Sequence, residues 1–348
     1  MEATMKVAVM TDIGNMAIEK RPIPKPAPGE ALIKVEYVGI CGSDLHYFEA
    51  GRIADFIVEC PFVLGHEASG TVIELGQGVT NLKIGDRVAL EPGTTCGECK
   101  YCRTGKYNLC PDVVFFATPP VPGVFQEYVA HDAKLCFKLP DSVSTMEGAL
   151  VEPLAIGFYA AQTVNAHAGQ TAVVIGSGCI GYMTLLALRA SGVRKIIVID
   201  ILDKRLKMAK ELGAWETING ASTDIVKEVM RLTEDEGCDL VIDTSGNEKC
   251  VGQAVEMIKC GGEILLVGYS HNDRMDLPIS LAINKETTFK TIFRYRHMYP
   301  VAIDALAGGI IDVKPMVTNI YELDDIQGAM CNSASNKEDI VKSVVKMP

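Results

Sequence analysis

The sequence predicts an α/β protein that combines a β-rich domain with a doubly wound parallel sheet. Up to about residue 150, short β-prone runs alternate with glycine and proline, as is typical of a small rolled β domain. From about residue 155, helical and strand patterns alternate, and a G-x-G-x-x-G motif follows the first of these strands. A chain of 348 residues is long enough for two such domains, each with its own core.

The same patterns place the domain boundaries. Residues 1–154 are expected to form the β-rich domain and residues 155–291 the parallel-sheet domain. Beyond residue 292 the alternation of strand and helix fades, which leaves a helix near 300–307 and a last strand near 340–346. Because the parallel sheet is complete without them, we expect residues 292–348 to return to the first domain.

Composition excludes several classes of partner. Acidic residues outnumber basic ones by 44 to 33, and no cluster of Lys and Arg stands out, so neither nucleic acid nor a membrane surface is expected to bind. The first residues lack a basic stretch followed by an apolar run, and no apolar run reaches the length of about twenty residues that spans a membrane. We therefore expect a cytoplasmic protein. In a reducing compartment its twelve cysteines favour metal binding over disulfides.

The first strands are predicted at residues 6–10 and 30–35. Residues 22–29 between them contain four prolines, which excludes a helix there. A Gly-Asp turn at residues 85–86 precedes a further strand. The whole segment is therefore predicted to consist of antiparallel strands joined by turns.

Residues 39–47 bring a thiol, a hydroxyl and an imidazole close together in the sequence. Cys41 can bind zinc, Ser43 can accept a proton from a group bound to that zinc, and His46 can pass the proton to water. Ser43 has a second interpretation as the cap of a short helix. His66, followed directly by Glu67, supplies a second imidazole and a carboxylate.

Four cysteines then follow in one loop with the spacing C-x2-C-x2-C-x7-C. They are Cys96, Cys99, Cys102 and Cys110. Four thiolates match the tetrahedral preference of a structural zinc site, which stabilises the fold and leaves no open position for a substrate. An iron–sulfur cluster is the alternative, since such cysteine runs often end in Cys-Pro, as this one does. The absence of a second quartet in the sequence favours zinc.

A dinucleotide-binding motif opens the second domain. It lies between a strand at 170–175 and a helix, and an acidic residue ends the next strand about twenty residues on. The residues of the motif are Gly176, Gly178, Gly181 and Asp200. The glycines let the backbone approach a pyrophosphate, and the acid can accept a hydrogen bond from a ribose 2′-OH. Because a carboxylate repels a 2′-phosphate, NAD is favoured over NADP, although Lys204 and Arg205 lie nearby.

These motifs, together with the Val-Glu-Pro step at residues 151–153, resemble the zinc-dependent medium-chain dehydrogenases along essentially the whole chain. Three stretches, at 115–120, 147–154 and 293–295, resemble the sorbitol dehydrogenases and bacterial polyol dehydrogenases in particular. The resemblance implies a GroES-like catalytic domain, a Rossmann domain, zinc and NAD as cofactors, and a homo-oligomer, either a dimer or a tetramer.

The resemblance also implies further site residues. Those expected to contact the substrate are Tyr47, Phe116, Thr118, Glu152, Arg294 and Tyr295. Those expected to contact the cofactor, besides the motif, are Ile180, Arg205, Val267, Gly268 and Phe293. Without the resemblance, the Arg-Tyr pair could equally be a solvated strand end.

The ligands of the catalytic zinc are only partly assigned by sequence. Cys41 and His66 are the expected ligands, and the resemblance implies Glu67 as the third, with Glu152 beside a zinc-bound water or the substrate. The alternative makes Glu152 the direct ligand. Because adjacent side chains of a regular strand point to opposite sides, His66 and Glu67 can face one ion only where the backbone is irregular.

The predicted reaction is reversible, NAD-linked oxidation of a secondary hydroxyl of a polyol such as sorbitol, xylitol or galactitol to the ketose. Zinc supplies Lewis-acid catalysis, the nicotinamide accepts the hydride, and the proton passes from Ser43 through the ribose 2′-OH to His46. Butane-2,3-diol or L-threonine is the alternative substrate. A non-catalytic dinucleotide-binding protein is the third hypothesis, and the joint presence of metal ligands and relay residues argues against it.

Three of the histidines outside these motifs lack a partner at a useful spacing. We expect them at the surface or in loops. They are His131, His167 and His271.

Overall fold

The computed structural model describes residues 3–270 and 274–348, which form two compact units. The β-rich unit comprises Met1–Glu152 and Tyr299–Pro348, and the parallel-sheet unit comprises Pro153–Met298. The sequence predicts the same order of segments, with boundaries after residues 154 and 291. Within the described segments, no helix has the length and apolar character needed to cross a membrane.

The first segment of the β-rich unit is dominated by short strands. In chain order its elements are β1 (Thr4–Asp12), β2 (Asn15–Pro22), β3 (Glu30–Ile40), α1 (Gly42–Ala50), β4 (Arg52–Ile53), β5 (Phe56–Ile57), β6 (Glu67–Leu75), β7 (Arg87–Leu90), β8 (Gly93–Thr94), α2 (Lys100–Arg103), β9 (Val114–Phe115), β10 (Tyr128–Asp132), β11 (Cys136–Lys138), α3 (Thr145–Ala149) and α4 (Val151–Thr163), the last of which continues into the parallel-sheet unit.

The parallel-sheet unit alternates strands and helices. Its further elements are β12 (Thr171–Ile175), α5 (Cys179–Ala190), β13 (Lys195–Asp200), α6 (Asp203–Glu211), β14 (Glu216–Asn219), α7 (Ile225–Leu232), β15 (Cys238–Asp243), α8 (Glu248–Met257), β16 (Ile258–Leu266), α9 (Ile279–Asn284) and β17 (Thr288–Thr291). The chain then re-enters the β-rich unit as α10 (Tyr299–Ala307), β18 (Val317–Glu322), α11 (Ile326–Ser335) and β19 (Lys342–Lys346).

Strand β3 is the centre of the β-rich unit. It pairs antiparallel with β6 along one edge, and along the other edge with β10 in its first half and with β19 in its second half. The sheet follows the order β11-β7-β6-β3-β19-β18. The carboxyl end of β3 therefore lies between the start of β6 and the start of β19. This arrangement brings together three segments that are far apart in the sequence.

Six parallel strands form the sheet of the second unit, in the order β14-β13-β12-β15-β16-β17. The central strands β12, β13 and β15 are almost entirely buried apolar runs, as is expected when helices cover both faces of a parallel sheet. This order is that of a doubly wound Rossmann sheet, as the sequence predicts.

Several strands, β10, β11 and β18 among them, and one histidine differ from the sequence prediction. The predicted strand list lacks β2, which carries charged residues on an exposed hairpin, and β14, which buries only Ile218. His131 is not at the surface: it is 4% exposed, and its Nε2 lies 2.8 Å from the backbone oxygen of Glu91. His167 is exposed, as predicted, and the prediction for His271 lies outside the described residues.

Candidate metal and nucleotide sites

The end of β3 and the start of β6 form the frame of the candidate metal site. Cys41 follows the last residue of β3, and Glu67 is the first residue of β6. Gly39 and Glu67 are register partners in the two strands. The antiparallel pairing therefore places the cysteine, the histidine and the carboxylate at one end of the sheet, although the sequence separates them.

Donor atoms of Cys41, His66 and Glu67 all lie within 4.8 Å of one another. The alternation of a regular strand does not separate His66 from Glu67, because β6 begins only at Glu67 and His66 follows Gly65, whose φ is +91°. Glu152 is 4% exposed, but it does not belong to this convergent group in the part of the chain that the structure describes. A thiolate, an imidazole and a carboxylate fit the three-ligand set of a catalytic zinc with an open fourth position.

Asp44 holds the backbone around this site in place. Its carboxylate accepts hydrogen bonds from the backbone amides of Cys41 and Gly65, each 2.9 Å long, and it is fully buried. Cys41 is the N-cap residue of α1, and Asp44 is the N3 residue that closes the capping box. The helix-capping interpretation of Ser43 is therefore wrong, because Cys41 occupies the cap position.

Asp44 also faces His66, since its Oδ1 lies 3.6 Å from Nδ1 of the imidazole. Burial of His66 lowers its pKa, but the negative charges of Asp44 and of the Cys41 thiolate outweigh burial and hold the pKa well above its ordinary value. An anionic environment that attracts a proton to the imidazole also attracts a metal ion. The surroundings of His66 are thus suited to binding a cation.

A buried lysine pairs with the carboxylate of Glu67. Nζ of Lys342 lies 2.7 Å from each oxygen of Glu67, and the two side chains are 3% and 1% exposed. Lys342 begins β19, which runs beside β3. Gly39 completes this arrangement, because a Cβ atom at that position would collide with the Glu67 carboxylate.

Helix α1 carries the predicted relay and one predicted substrate residue. Ser43 lies near the start of the helix and is half-buried, and His46, one turn later, is exposed. This exposure suits a residue that exchanges protons with water. Tyr47 is 4% exposed and packs in the apolar core of the unit.

Phe115 and Phe116 lie beside two different histidines. The ring of Phe115 lies 5.9 Å from that of His66, and the ring of Phe116 lies 4.6 Å from that of His131. Thr118 is half-buried in the turn that follows, where its amide donates to the Phe115 carbonyl. Phe115, which was not predicted as a site residue, is therefore an aromatic neighbour of the candidate metal site.

The four-cysteine loop has the geometry of a site for a single metal ion. Its sulfur atoms lie within 4.8 Å of one another, and the Cys96–Cys110, Cys99–Cys102 and Cys96–Cys102 separations are 3.5, 3.6 and 3.9 Å. Four thiolates at about 2.3 Å from one zinc would lie about 3.8 Å apart at tetrahedral angles. Thiolates on separate irons of a cluster would be spread more widely, so the geometry favours zinc over the iron–sulfur alternative.

Backbone amides prepare this loop for metal binding. Hydrogen bonds from the amides of Cys99 and Glu98 lower the pKa of the Cys96 thiol to about 7. Burial raises the pKa of Cys110 to about 11, and a metal ion has to displace that proton. The described cysteines, including this quartet, form no disulfides.

The acid at the end of β13 is held by its surroundings. Asp200 Oδ2 accepts hydrogen bonds of 2.7 Å from both the amide and the hydroxyl of Ser177, and Oδ1 accepts from the amides of Ile201 and Leu202. These bonds orient the carboxylate beside the glycine-rich turn, where the motif predicts contact with a ribose.

A cavity of about 570 Å³ opens at the carboxyl ends of β12, β13 and β15. Its lining includes Gly176, Asp200, Asp224, Asn247 and Lys249. This is the edge where a doubly wound sheet binds its ligand, and the volume lies in the usual range for small-molecule sites. The cavity therefore fits the adenosine part of a dinucleotide.

The other predicted cofactor residues lie around the same edge. The amides of Val267 and Gly268, which follow β16, donate to the Asp243 carbonyl. The guanidinium of Arg205 lies 3.8 Å from the point where a Cβ atom at Gly178 would be. Ile180 is half-buried in the first turn of α5. Their contacts with a cofactor stay predictions.

Residues 293–295 follow β17 as a constrained loop. Arg294 has a φ of +54°, and its guanidinium lies 4.8 Å from the centre of the Phe293 ring. Tyr295 is 3% exposed, which excludes the interpretation of the pair as a solvated strand end. Binding of substrate by Arg294 and Tyr295, and of cofactor by Phe293, stays a prediction.

Comparison with known proteins places this architecture in a family. Residues 27–141 match the alcohol dehydrogenase GroES-like domain, and residues 179–308 match the zinc-binding dehydrogenase domain. The chain is 42% identical to sorbitol dehydrogenase of Bacillus subtilis, over 98% of this chain and 97% of that protein. The chain is a zinc-binding dehydrogenase of the sorbitol dehydrogenase family. Family membership makes it an oxidoreductase, which excludes the non-catalytic hypothesis.

Relatives of this dehydrogenase differ in what they act on. An uncharacterised zinc-type alcohol dehydrogenase-like protein of Escherichia coli, YdjJ, is 46% identical over 98% of both chains. The structure of 2R,3R-butanediol dehydrogenase from Bacillus subtilis is similar with a TM-score of 0.90 and 34% identity, over 98% of this chain and 99% of that chain.

Similar structures also differ in cofactor. One similar structure, from Escherichia coli, holds NADH, and another, from Sinorhizobium meliloti, holds NADP. Each is 28% identical to this chain with a TM-score of 0.92, over 99% of this chain and at least 99% of its own. Structures similar to this chain therefore hold nicotinamide cofactors of both kinds.

Three residues of this dehydrogenase, Asp44, Phe115 and Lys342, were not predicted as site residues. Asp44 had a usable signal, since a carboxylate three residues after a cap position is typical of a capping box. Phe115 adjoins a residue that was selected. Lys342 lies 275 residues from Glu67 and had no signal, because only the pairing of β19 with β3 brings the two together.

Proposed function

We propose that the protein catalyses reversible, NAD-linked oxidation of a secondary hydroxyl group of a sugar alcohol to the ketose. The observation that supports this proposal most directly is the convergence of Cys41, His66 and Glu67 within 4.8 Å. Three protein ligands leave one position of a tetrahedral ion open, which is the arrangement of catalytic rather than structural zinc sites.

In this proposal each ligand has its own support in the chain. Cys41 is fixed by Asp44 through the backbone, and Glu67 is fixed by Lys342. His66 directs Nδ1 towards Asp44, which leaves Nε2 to bind the metal. Glu152 is assigned a position beside the substrate rather than a direct bond to the metal, since it lies outside the convergent group. Zinc at this site would supply Lewis-acid activation of the substrate hydroxyl.

Two side chains of helix α1 carry the proton away from that hydroxyl. Ser43 accepts it as its own hydroxyl proton passes on towards His46, which delivers a proton to water. The half-buried serine and the exposed histidine on the same helix support these roles. The parallel-sheet unit would hold NAD through Gly176, Gly178 and Asp200, and NAD would supply the hydride acceptor. Tyr47, Phe116 and Thr118 are retained as proposed substrate contacts on the basis of the resemblance.

NAD is proposed as the preferred cofactor. Asp200 and Asp224 both line the cavity, and two carboxylates there disfavour the extra phosphate of NADP. Lys249 offsets part of this negative charge. A homo-oligomeric assembly, as a dimer or tetramer, and a cytoplasmic location are proposals that follow from the resemblance and the composition.

The experiment is a panel of substrates measured with NAD and with NADP. Sorbitol, xylitol, galactitol, 2R,3R-butanediol and L-threonine are compared by kcat/KM, and polyols are expected to rank first with NAD. A site that hydrogen-bonds several hydroxyls should discriminate strongly against substrates that lack them. If threonine ranked first, or if no secondary alcohol were oxidised, the proposal would fail.

A vicinal diol is the second candidate substrate. The structural similarity to 2R,3R-butanediol dehydrogenase favours it, since this similarity extends over nearly the whole of both chains. A kcat/KM for butanediol above that of every polyol would support this second candidate over the first.

A further inference from the structure

The pairing of Lys342 with Glu67 is unusual in its burial and completeness. Both oxygens of the carboxylate lie 2.7 Å from Nζ, and the backbone oxygen of Ile40 lies at 3.1 Å. The three acceptors match the three N–H groups of an ammonium ion. The side chain of Lys342 is 3% exposed and that of Glu67 is 1% exposed, so the pair is almost completely removed from water.

Such a pair is costly to bury, which makes its position informative. A charge removed from water needs a partner, and loss of one partner of a buried pair leaves the other uncompensated. Here the partner of Lys342 is the same carboxylate that converges with Cys41 and His66. The ammonium of Lys342 and a bound metal ion would therefore both bind the carboxylate of Glu67.

The charges of the site indicate what this sharing achieves. A thiolate at Cys41 and a carboxylate at Glu67 would together cancel the two positive charges of zinc, while His66 binds metal as a neutral group. Lys342 then adds one positive charge beside the site, which offsets the negative charge of Asp44, 3.6 Å from His66. That charge favours the negative charge that develops on a substrate oxygen as its proton leaves.

We propose that Lys342 is a positioning residue that shares Glu67 with the catalytic metal. Its ammonium holds the carboxylate in place, weakens it as a metal ligand, and makes the site less negative. The proposal rests on the proposed function, because it takes Glu67 as a ligand of the metal. It predicts that removal of the ammonium strengthens metal binding, whereas removal of a purely structural anchor lowers stability and leaves metal affinity unchanged.

The test measures zinc affinity in the Lys342→Met and Lys342→Gln variants by competition with a chromogenic chelator. We expect the more weakly held of the two zinc equivalents to bind on the order of tenfold more tightly than in the parent, since coupling between sites is commonly of this size. Lys342→Gln covers the case in which the methionine variant does not fold. Lys342→Arg, which keeps the charge, is expected to restore the parent affinity.

Lys346→Met is the matched control. Lys346 lies on the same strand but is 51% exposed, with Glu322 at 3.7 Å, and its replacement is expected to leave zinc affinity unchanged. In a Glu67→Gln background, Lys342→Met should no longer strengthen zinc binding, which shows that the effect passes through Glu67. Affinity equal to or below that of the parent in both Lys342→Met and Lys342→Gln would overturn the proposal.

Failure of the proposed function would look different. If the parent bound only one zinc, and Cys41→Ser still bound that one, the convergent group would not be a metal site. If the parent bound two and Cys41→Ser one, with Lys342 variants at the parent affinity, the metal site would stand and only the role of Lys342 would fall.

Discussion

Replacement of Glu91 by glutamine is expected to change how stability depends on pH. Glu91 follows β7 and is 4% exposed. Burial raises the pKa of its carboxyl to about 7, although a hydrogen bond of 2.6 Å from the Tyr107 hydroxyl lowers it in part. In the unfolded chain the same carboxyl is solvated and has its ordinary, lower pKa. The folded state therefore binds this proton more strongly than the unfolded state.

The direction in which stability changes with pH follows from this difference in pKa. Between the unfolded pKa and the folded pKa of about 7, the native protein binds more protons than the unfolded chain, so its stability falls as pH rises. The full cost is reached above pH 7 and amounts to about 3 kcal/mol. For a unit of this size that corresponds to about 6–12 °C in Tm. Glu91→Gln keeps an oxygen for the Tyr107 hydroxyl and cannot ionise, so this cost should be absent.

The assay is thermal unfolding of zinc-loaded parent and Glu91→Gln from pH 5 to pH 8. The Tm of the variant should rise relative to the parent by about 5–10 °C across this range, since part of the cost is already present at pH 5. Glu59→Gln, at an exposed position of the same unit, is the control and should follow the parent. A constant difference in Tm between Glu91→Gln and the parent at every pH would refute the assignment of this cost to Glu91.

Three further predictions concern other parts of the molecule. Lys285 donates to three backbone carbonyls at the end of α8, so Lys285→Met should destabilise the parallel-sheet unit by about 1–2 kcal/mol in chemical denaturation, and an unchanged midpoint would contradict this. Cys110→Ser should release one zinc equivalent and lower Tm, as metal analysis and calorimetry can show; two retained equivalents would exclude the quartet as a zinc site. Asp200→Ala should weaken NAD binding at least tenfold, and NADP binding less, as measured by fluorescence titration. Unchanged NAD affinity would show that Asp200 does not contact the ribose.

The motifs were predictable from sequence because each is local. Gly176, Gly178 and Asp200 lie within one strand-helix-strand unit, and the four cysteines lie in one loop, so spacing alone indicates their chemistry. The family of the chain and its α/β class follow from these signals and were confirmed. The convergence of Glu67 with Cys41 was expected from the resemblance, and residue spacing alone left Glu152 as an alternative.

What the sequence did not predict depends on contacts between distant segments. The ammonium that pairs with Glu67 comes from Lys342, and its place is set by the pairing of β19 with β3. The burial of His131 depends on β10 packing beside β3. No local pattern distinguishes these side chains from surface residues, since their environment is created only by the folded sheet.

The most direct test of the account compares the parent with Cys41→Ser in the presence of NAD and a polyol. We expect NADH formation in the parent and its loss in the variant, while fluorescence titration shows unchanged NAD affinity, because the cysteine belongs to the β-rich unit and the cofactor motif to the parallel-sheet unit. Metal analysis should show one zinc fewer in the variant. Full turnover by Cys41→Ser without that zinc would contradict the central claim that the convergent group is the catalytic metal site.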